Sequence, residues 1–291
     1  MLNILVVVDG TDDDEHVLGQ AVKFAAETGG DVHVFMSVYD PVEELNKYIG
    51  FDDYPQVKEA ILEEAEIKLR VLTEKFAEAV TSNMAWGRHW HLNVLAEAER
   101  MESDLIIKAV GKHSRIAEFL QTPEDWHLLR ESRCPVWLVN KTTTHIDKVV
   151  AAFSAMDETV EHRLLASRVV DKARDFAAAL KVKLHVVTVI PDLARTQALL
   201  SRVPMGVAGV QASARERAQK LLSQSLDELG IQADEIEVRC GSVDEELASV
   251  VGDNGLLLIG SVANRGISGK LIGNTSEKVL HYLTGDVVVV H

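Results

Sequence analysis

One stretch of the chain, residues 259–279, has the composition of a loop that binds phosphate. It reads IGSVANRGISGKLIGNTSEKV and contains four glycines and one arginine, Arg265, which could add positive charge. Asn274, Thr275 and Ser276 could cap the helix that follows, SEKVLHYL, whose free N–H groups would favour an anion. The stretch therefore predicts an anion site or, more simply, a turn before a capped helix.

Gly260 begins this loop directly after the apolar run LLLI. A glycine at that point lets the chain turn sharply and lets a ligand approach the backbone closely. The candidate binding residues of the loop are Gly260, Ser261, Val262, Ala263, Arg265, Gly273, Asn274, Thr275 and Ser276.

A second candidate site is the acidic stretch DGTDDDE, residues 9–15, which follows the first apolar run of the chain. We expect several of its five carboxylates to lie at a helix N-terminus, where they interact favourably with the helix dipole. A Mg²⁺ site is the alternative, since Mg²⁺ prefers oxygen ligands. In either case the negative charge would oppose the binding of a polyphosphate.

Two histidines two residues apart, His89 and His91, lie in the stretch WGRHWHLNVL with Trp86 and Trp90. Residues at this spacing lie on the same side of a strand, so the pair raises the question of a metal site. Metal sites need three or four ligands, and the sequence shows no third ligand nearby. We therefore expect a strand with one polar face, packed by tryptophans, and no metal.

The sequence contains no recognisable catalytic set. It has no G-x-S-x-G elbow, no HExxH pair and no cysteine beside a recognisable histidine partner. Its two cysteines, Cys134 and Cys240, lie far apart, without the spacing of a metal or redox site. These features predict a protein that is not an enzyme, in a reducing cytoplasm.

The negative charge of the chain argues against two classes of binding partner. The formal net charge of −15 argues against nucleic acid, whose binding depends on clustered lysine and arginine. It also disfavours an anionic membrane surface. No apolar run reaches the roughly 18 residues of a membrane span, and the first residues, MLNILVVVDG, resemble a buried strand rather than a signal peptide.

The elements that position these residues occur twice along the chain, at a separation of about 150 residues, which indicates an internal duplication. The matching strand pairs are 3–9 and 148–157, 31–41 and 183–192, 103–111 and 254–262, and 134–140 and 285–291.

Short apolar strands alternate with longer helical segments in each half, which predicts a parallel sheet covered by helices on both faces. We expect two tandem α/β domains, 1–143 and 144–291, each a doubly wound sheet of five strands. A polar linker, NKTTTHID at 140–147, would join them. Ligands of such sheets bind beyond the carboxyl ends of the strands, where the strand order reverses.

This duplicated plan, with a glycine loop after the fourth strand of the second half, resembles the universal stress protein family. The resemblance covers essentially the whole chain. In nucleotide-binding members it implies a loop, G-x2-G-x9-G-[ST], that wraps the ribose and phosphates. Here Gly260 and Gly273 match the outer glycines, whereas Ala263 replaces the middle one and Asn274 the Ser or Thr, with Thr275 next.

The resemblance also implies an aspartate after the first strand and a valine at the end of the second strand. In the second half Val189 matches the valine, but Ser154 stands at the aspartate position, three residues before Asp157. Asp9 and Val38 match both in the first half.

The loop of the first half departs further from the family pattern. It has Ala109 in place of the first glycine and Thr122–Pro123 in place of the last pair. Pro123 lacks an N–H donor and suits the first turn of a helix. Each half thus keeps part of the nucleotide motif. We expect no required cofactor, and weak ATP binding or none.

The segment 191–218 is unusually apolar for a connection between elements. It carries Leu193, Leu199 and Val210 among other apolar residues, with little charge between them. We expect it to be a lid over the domain or a domain contact, and the alternative is the wall of a pocket for an apolar, acyl-type ligand. Its counterpart at 40–61 carries more charge and would cover its own half.

Together these features favour a non-enzymatic cytoplasmic stress-response protein that acts by binding a small molecule or a protein. The two halves would form a pseudo-two-fold pair, with strands 136–140 and 287–290 side by side, and a second copy of the chain could add a homodimer. The alternatives are an ATP-binding switch that uses the loop of the second half, and a protein that binds an acyl-type ligand.

Overall fold

The structure is a computed structural model, which describes residues 1–50, 53–76, 80–110, 123–140, 142–157, 159–193, 206–261 and 274–291. The described residues fall into two compact units, one holding those up to Asn140 and the other those from Thr142 onward. Among the described residues, no helix has the length and apolar character that a membrane crossing requires.

The first unit is a five-stranded sheet in the order β3-β2-β1-β4-β5, and its neighbouring strands pair in parallel. Its strands are β1 (Asn3–Val8), β2 (Asp31–Val38), β3 (Val80–Trp86), β4 (Leu105–Val110) and β5 (Val136–Asn140). The described helices are α1 (Asp14–Thr28), α2 (Val42–Ile49), α3 (Tyr54–Glu74), α4 (Trp90–Arg100) and α5 (Pro123–Glu131).

The second unit repeats this topology, with the parallel order β10-β9-β6-β7-β8. Its strands are β6 (Lys148–Ala152), β7 (Lys183–Ile190), β8 (Glu235–Cys240), β9 (Gly255–Gly260) and β10 (Asp286–Val290). The described helices are α6 (Val160–Leu180), α7 (Gly206–Leu229), α8 (Val243–Val251) and α9 (Asn274–Tyr282). The predicted fold, two tandem doubly wound parallel sheets of five strands, is confirmed.

The duplication extends to the helix faces that cover the sheets. Helix α1 buries Phe24 against its sheet, and helix α6 buries Phe176 at the matching position of the second unit. In both helices the other buried apolar residues recur at the spacing of a single helical face. Continuously buried strands such as β1, where Leu5 and Val6 are fully buried, need such cover on both faces.

The strand order places a topological switch point in each unit. Strand β1 lies between β2 and β4, and β6 lies between β7 and β9. Connections from a central strand to neighbours on opposite sides leave a crevice beyond the carboxyl ends of the strands. The domain boundary at 143/144 and the pairing of the strands at 136–140 and 287–290 stay predictions.

Candidate functional site

A cavity of about 380 Å³ lies at the switch point of the second unit. Its walls come from the carboxyl ends of β6, β7 and β9 and from helices α6, α8 and α9. The lining residues are Ala152, Phe153, Ser154, His162, Leu165, Ala166, Val169, Val187, Val189, Pro191, Val243, Leu247, Ile259, Gly260 and Val279. We call this cavity the second-half pocket.

The described lining of the second-half pocket is almost entirely apolar. Ser154 and His162 are its two polar side chains, and the described lining includes no lysine, arginine or carboxylate. The serine stands where the family resemblance implies an aspartate. The side-chain chemistry therefore favours hydrocarbon over a charged phosphate group.

The side chains of His162 and Asp157 both contact Thr159 at the start of helix α6, beside the pocket. The Asp157 carboxylate accepts hydrogen bonds from the backbone N–H and the hydroxyl of Thr159, at 3.1 and 2.9 Å. The backbone hydrogen bond from Thr159 lowers the pKa of Asp157 most, followed by its side-chain hydrogen bond. His162 Nδ1 lies 2.7 Å from the Thr159 hydroxyl and 3.1 Å from Asp157 Oδ2. Asp157 thus stabilises the start of helix α6 and does not take the place of the aspartate that is absent at position 154.

Gly260 does not have the role that its sequence context suggests. It is the last residue of β9 and is not among the described glycines with positive φ, so the chain makes no glycine-dependent turn there. Instead, a Cβ at this position would lie 2.5 Å from Cγ and Cδ2 of Leu165. The bare Cα of Gly260 makes room for a leucine of helix α6, and the expectation of a sharp turn at Gly260 is wrong.

Three of the predicted binding residues lie in or beside the pocket. Val189 and Gly260 line it, and Ser261 follows directly. The backbone N–H of Ser261 donates to the Val290 carbonyl at 2.7 Å, and its buried hydroxyl has no hydrogen-bond partner among the described residues. Val262, Ala263, Arg265 and Gly273 lie outside the described residues.

The position of helix α9 corrects a second expectation. The helix begins at Asn274, so Asn274, Thr275 and Ser276 form its first turn instead of preceding it as caps. Their side chains lie outside the described part of the chain. Hydrophobic periodicity in SEKVLHYL alone placed the start of this helix two residues too late.

In the first unit, the buried carboxylate of Asp14 accepts hydrogen bonds from the backbone that follows strand β1. Asp14, the first residue of α1, is 3 % exposed and accepts hydrogen bonds from the backbone N–H groups of Gly10 and Thr11, at 2.7 and 3.0 Å. The backbone N–H of Asp9 donates to it at 3.3 Å. Burial, reinforced by the negative charge of Asp9, raises the pKa of Asp14 to about 6. The N–H groups that could hold a phosphate after β1 are therefore already bonded.

Asp9, the family-type aspartate of the first half, faces a cation from the neighbouring strand. Lys108 of β4 is buried, and its Nζ lies 3.8 Å from Asp9 Oδ2 and 5.2 Å from the centroid of the Trp90 ring. The Thr11 hydroxyl donates to the other carboxylate oxygen at 2.7 Å. As expected, acidic residues, Asp14 and Glu15, lie in the first turn of α1.

The histidine pair lies in a different element from the predicted strand. Strand β3 ends at Trp86, His89 precedes helix α4, and His91 lies in its first turn. The two imidazoles converge on Glu124 of α5, a third candidate ligand that is not evident in the sequence near the histidines. Alternation in a short aromatic run did not distinguish a strand from a helix start.

Sequence reasoning missed the contribution of helix α6, which supplies His162, Leu165 and Ala166 to the second-half pocket. The duplicated helix pattern was visible, but it indicated only a face that packs on the sheet. The apolar segment at 191–218 is described only in part. Pro191 lines the pocket and helix α7 begins at Gly206, while residues 194–205 lie outside the described residues. The lid, the domain contact and the pocket wall therefore stay predictions for the segment 191–218.

Comparison with known proteins supports the architecture. The chain matches the family model of the universal stress protein family over residues 1–140 and 159–291. Universal stress protein E of Escherichia coli (strain K12) is 25 % identical over an alignment of 297 positions that covers 99 % of this chain and 93 % of that protein. A homolog of universal stress protein E from Haemophilus influenzae is 23 % identical and covers 97 % and 94 %.

Solved structures show the same fold over the full length. A functionally unknown protein from Pseudomonas aeruginosa PAO1 superposes with a TM-score of 0.70 at 26 % identity, covering 99 % of this chain and 92 % of that chain. A universal stress protein from Archaeoglobus fulgidus DSM 4304 gives a TM-score of 0.66 at 16 % identity, covering 99 % and 97 %. The likeness to the latter concerns the fold alone.

Proposed function

The chain belongs to the universal stress protein family, and from this premise we propose that it is a non-enzymatic cytoplasmic stress-response protein that binds an apolar ligand. The ligand would be an acyl-type molecule held in the second-half pocket. ATP would bind weakly or not at all.

The apolar lining of the second-half pocket carries this proposal. At about 380 Å³ the pocket falls within the roughly 300–1,000 Å³ typical of small-molecule sites. Each buried methylene of a ligand would gain about 0.8 kcal/mol from leaving water. An acyl chain therefore suits these walls better than the polar edge of a nucleoside.

The residues at the strand ends argue against tight ATP binding, for a different reason in each half. In the second half, Leu165 covers the backbone of Gly260, where close approach of a ligand was expected. In the first half, Asp14 bonds the backbone N–H groups after β1, and Asp9 adds further negative charge. Among the described residues, a triphosphate would meet apolar side chains in the second half and carboxylates in the first.

The non-enzymatic part of the proposal rests on the chemistry of the pocket. His162, the titratable group in its described lining, is held by Thr159 and Asp157. Nucleophilic catalysis needs a nucleophile activated by a neighbouring base, and no such pair is found among the described lining residues. General acid–base catalysis likewise needs a positioned acid or base. We also propose that a protein partner or a second copy of the chain recognises the ligand-bound form of the protein.

Native mass spectrometry of gently purified full-length protein tests the proposal. We expect a mass addition that disappears on denaturation and that organic extraction identifies as a lipid or another acyl compound. An adenine nucleotide in stoichiometric amount would contradict the proposal and favour the ATP-switch alternative. A preparation with no addition is then loaded with dodecanoate, and failure to bind it would also contradict the proposal.

A further inference from the structure

Three side chains of the first unit meet at the N-terminal ends of helices α4 and α5. His89, His91 and Glu124 each offer one ligand atom, and these atoms all lie within 4.8 Å of one another. We propose that they bind a divalent transition-metal ion, with Zn²⁺ as the best match to the ligands. This site is separate from the second-half pocket and does not depend on the proposed function.

The two imidazoles approach different oxygens of the same carboxylate. His89 Nδ1 lies 2.9 Å from Glu124 Oε1, and His91 Nδ1 lies 3.6 Å from Glu124 Oε2. In a tetrahedral zinc site with bonds of about 2.0–2.2 Å, neighbouring ligand atoms lie about 3.3–3.6 Å apart. Small rotations of the three side chains would therefore reach metal-binding geometry.

His91 provides an independent indication of a ligand. The residue is 7 % exposed, and its Nδ1 is buried without a hydrogen-bond partner among the described residues. Its 3.6 Å separation from Glu124 exceeds the length of a normal hydrogen bond. A buried polar atom left in this way destabilises the folded state, and a metal bond at Nδ1 would remove that cost.

The surroundings hold the His91 ring and leave one side of the cluster open. The ring stacks on His127 with centroids 5.2 Å apart, and His127 Nδ1 lies 2.9 Å from Glu131 Oε1. The side chain of His89, in contrast, is 55 % exposed. An ion could thus enter from the solvent side, and water could complete its coordination, as in zinc sites with three protein ligands.

The charge balance assigns a particular role to Glu124. The N-terminal ends of α4 and α5 carry partial positive charge, which opposes a bound cation. The carboxylate of Glu124 is the anionic member of the cluster and offsets this opposition. Two nitrogen ligands and one oxygen ligand favour zinc or a similar transition metal over Mg²⁺ or Ca²⁺, which prefer oxygen ligands.

Titration of Co²⁺ into the full chain tests this site. The protein carries no histidine tag and is first stripped with a chelator, and visible absorption then reports the coordination of the ion. We expect one Co²⁺ per chain, with the intense bands of a four- or five-coordinate site, displaced by one equivalent of Zn²⁺. Failure of the wild-type chain to bind Co²⁺ or Zn²⁺ would show that His89 and Glu124 form only a hydrogen-bonded pair.

Variants distinguish this cluster from adventitious histidine binding. We expect His89→Ala, His91→Ala and Glu124→Gln each to weaken metal binding by at least about tenfold. His145→Ala, at an exposed histidine of the second unit, is the matched control and should bind as the wild type does. His89 is exposed and Glu124→Gln preserves shape, so these two variants should fold even if His91→Ala does not. Unchanged affinity in both would overturn the proposal.

Discussion

Leu165 of helix α6 packs so closely on Gly260 of strand β9 that a Cβ at position 260 would lie 2.5 Å from the leucine Cγ and Cδ2. The glycine that the family pattern associates with a phosphate loop therefore accommodates an apolar side chain in this protein. The same leucine lines the second-half pocket. This contact explains how a nucleotide-type strand end can present a hydrocarbon surface.

We predict that Gly260→Ala lowers the free energy of unfolding by about 1–3 kcal/mol, because the added methyl overlaps Leu165. Gly19→Ala is the matched control, since a Cβ there meets nothing within 4 Å inside helix α1. It should stabilise the chain by up to about 1 kcal/mol. Urea denaturation measures both variants. If Gly260→Ala lost as much stability in a Leu165→Ala background, the overlap would not be the cause.

Asp14 should make the stability of the chain depend on pH. Its pKa is raised from 3.8 to about 6 in the folded state, so the folded state binds the extra proton. The associated stability is fully present below about pH 3.8 and is lost as the pH rises through about 6. The shift corresponds to about 2–3 kcal/mol. The free energy of unfolding of the wild type, measured by urea denaturation, should therefore fall by this amount between pH 4 and 7 relative to that of Asp14→Asn. Parallel curves for the two proteins would contradict the expectation.

Glu97 should behave in the opposite way. Its carboxylate accepts hydrogen bonds from Arg100, at 2.9 and 2.7 Å, and from Asn83 at 3.1 Å, and His33 Nε2 lies 2.7 Å away. Hydrogen bonding to Arg100 is the main reason that its pKa is lowered to about 2. The stability that ionised Glu97 supplies is present above about pH 4.5 and is lost as the pH falls towards 2.

We therefore expect Glu97→Gln to cost about 2 kcal/mol at pH 7, because charge-assisted hydrogen bonds are lost beside a buried histidine. The loss should shrink as the pH falls. Glu64→Gln removes an exposed helix pair with Lys68 and is the control, expected to leave the denaturation midpoint unchanged. Equal effects of the two substitutions would show that burial of the Glu97 cluster contributes nothing.

Filling the second-half pocket should weaken ligand binding without unfolding the protein. Ala166 lines the pocket from helix α6, whereas Ala178 lies on the exposed side of the same helix. We expect Ala166→Phe to weaken binding of dodecanoate at least about tenfold, a change of about 1.4 kcal/mol, and Ala178→Phe to leave it unchanged. Calorimetry gives the affinities and circular dichroism checks the fold. Equal binding by both variants would place the ligand elsewhere.

Much of the architecture was predictable because the sequence carries it twice. The apolar strands recur at a constant separation, and strands buried on both faces imply a parallel sheet between helix layers. The strand order then locates the ligand crevice, where Val189 and Gly260 are found. Local periodicity and topology suffice for these conclusions.

Contacts between distant segments were not predictable in this way. The packing of Leu165 on Gly260 joins a helix to a strand 95 positions later, and no motif in either segment refers to the other. The same holds for Glu124, which meets His89 and His91 only because α4 and α5 are neighbours. The acidic stretch 9–15 predicts several helix-terminal acids without distinguishing among them, and the burial of Asp14 and its three backbone donors depend on tertiary structure.

The most direct test of the proposed function is a pair of calorimetric titrations on the purified, delipidated full-length chain. One uses ATP with Mg²⁺ and the other uses dodecanoate. We predict a Kd below about 100 µM for dodecanoate, equivalent to about −5.5 kcal/mol, and weaker binding or none for ATP. ATP binding tighter than about 100 µM that is lost in Gly273→Val, with no heat from dodecanoate, would contradict the account.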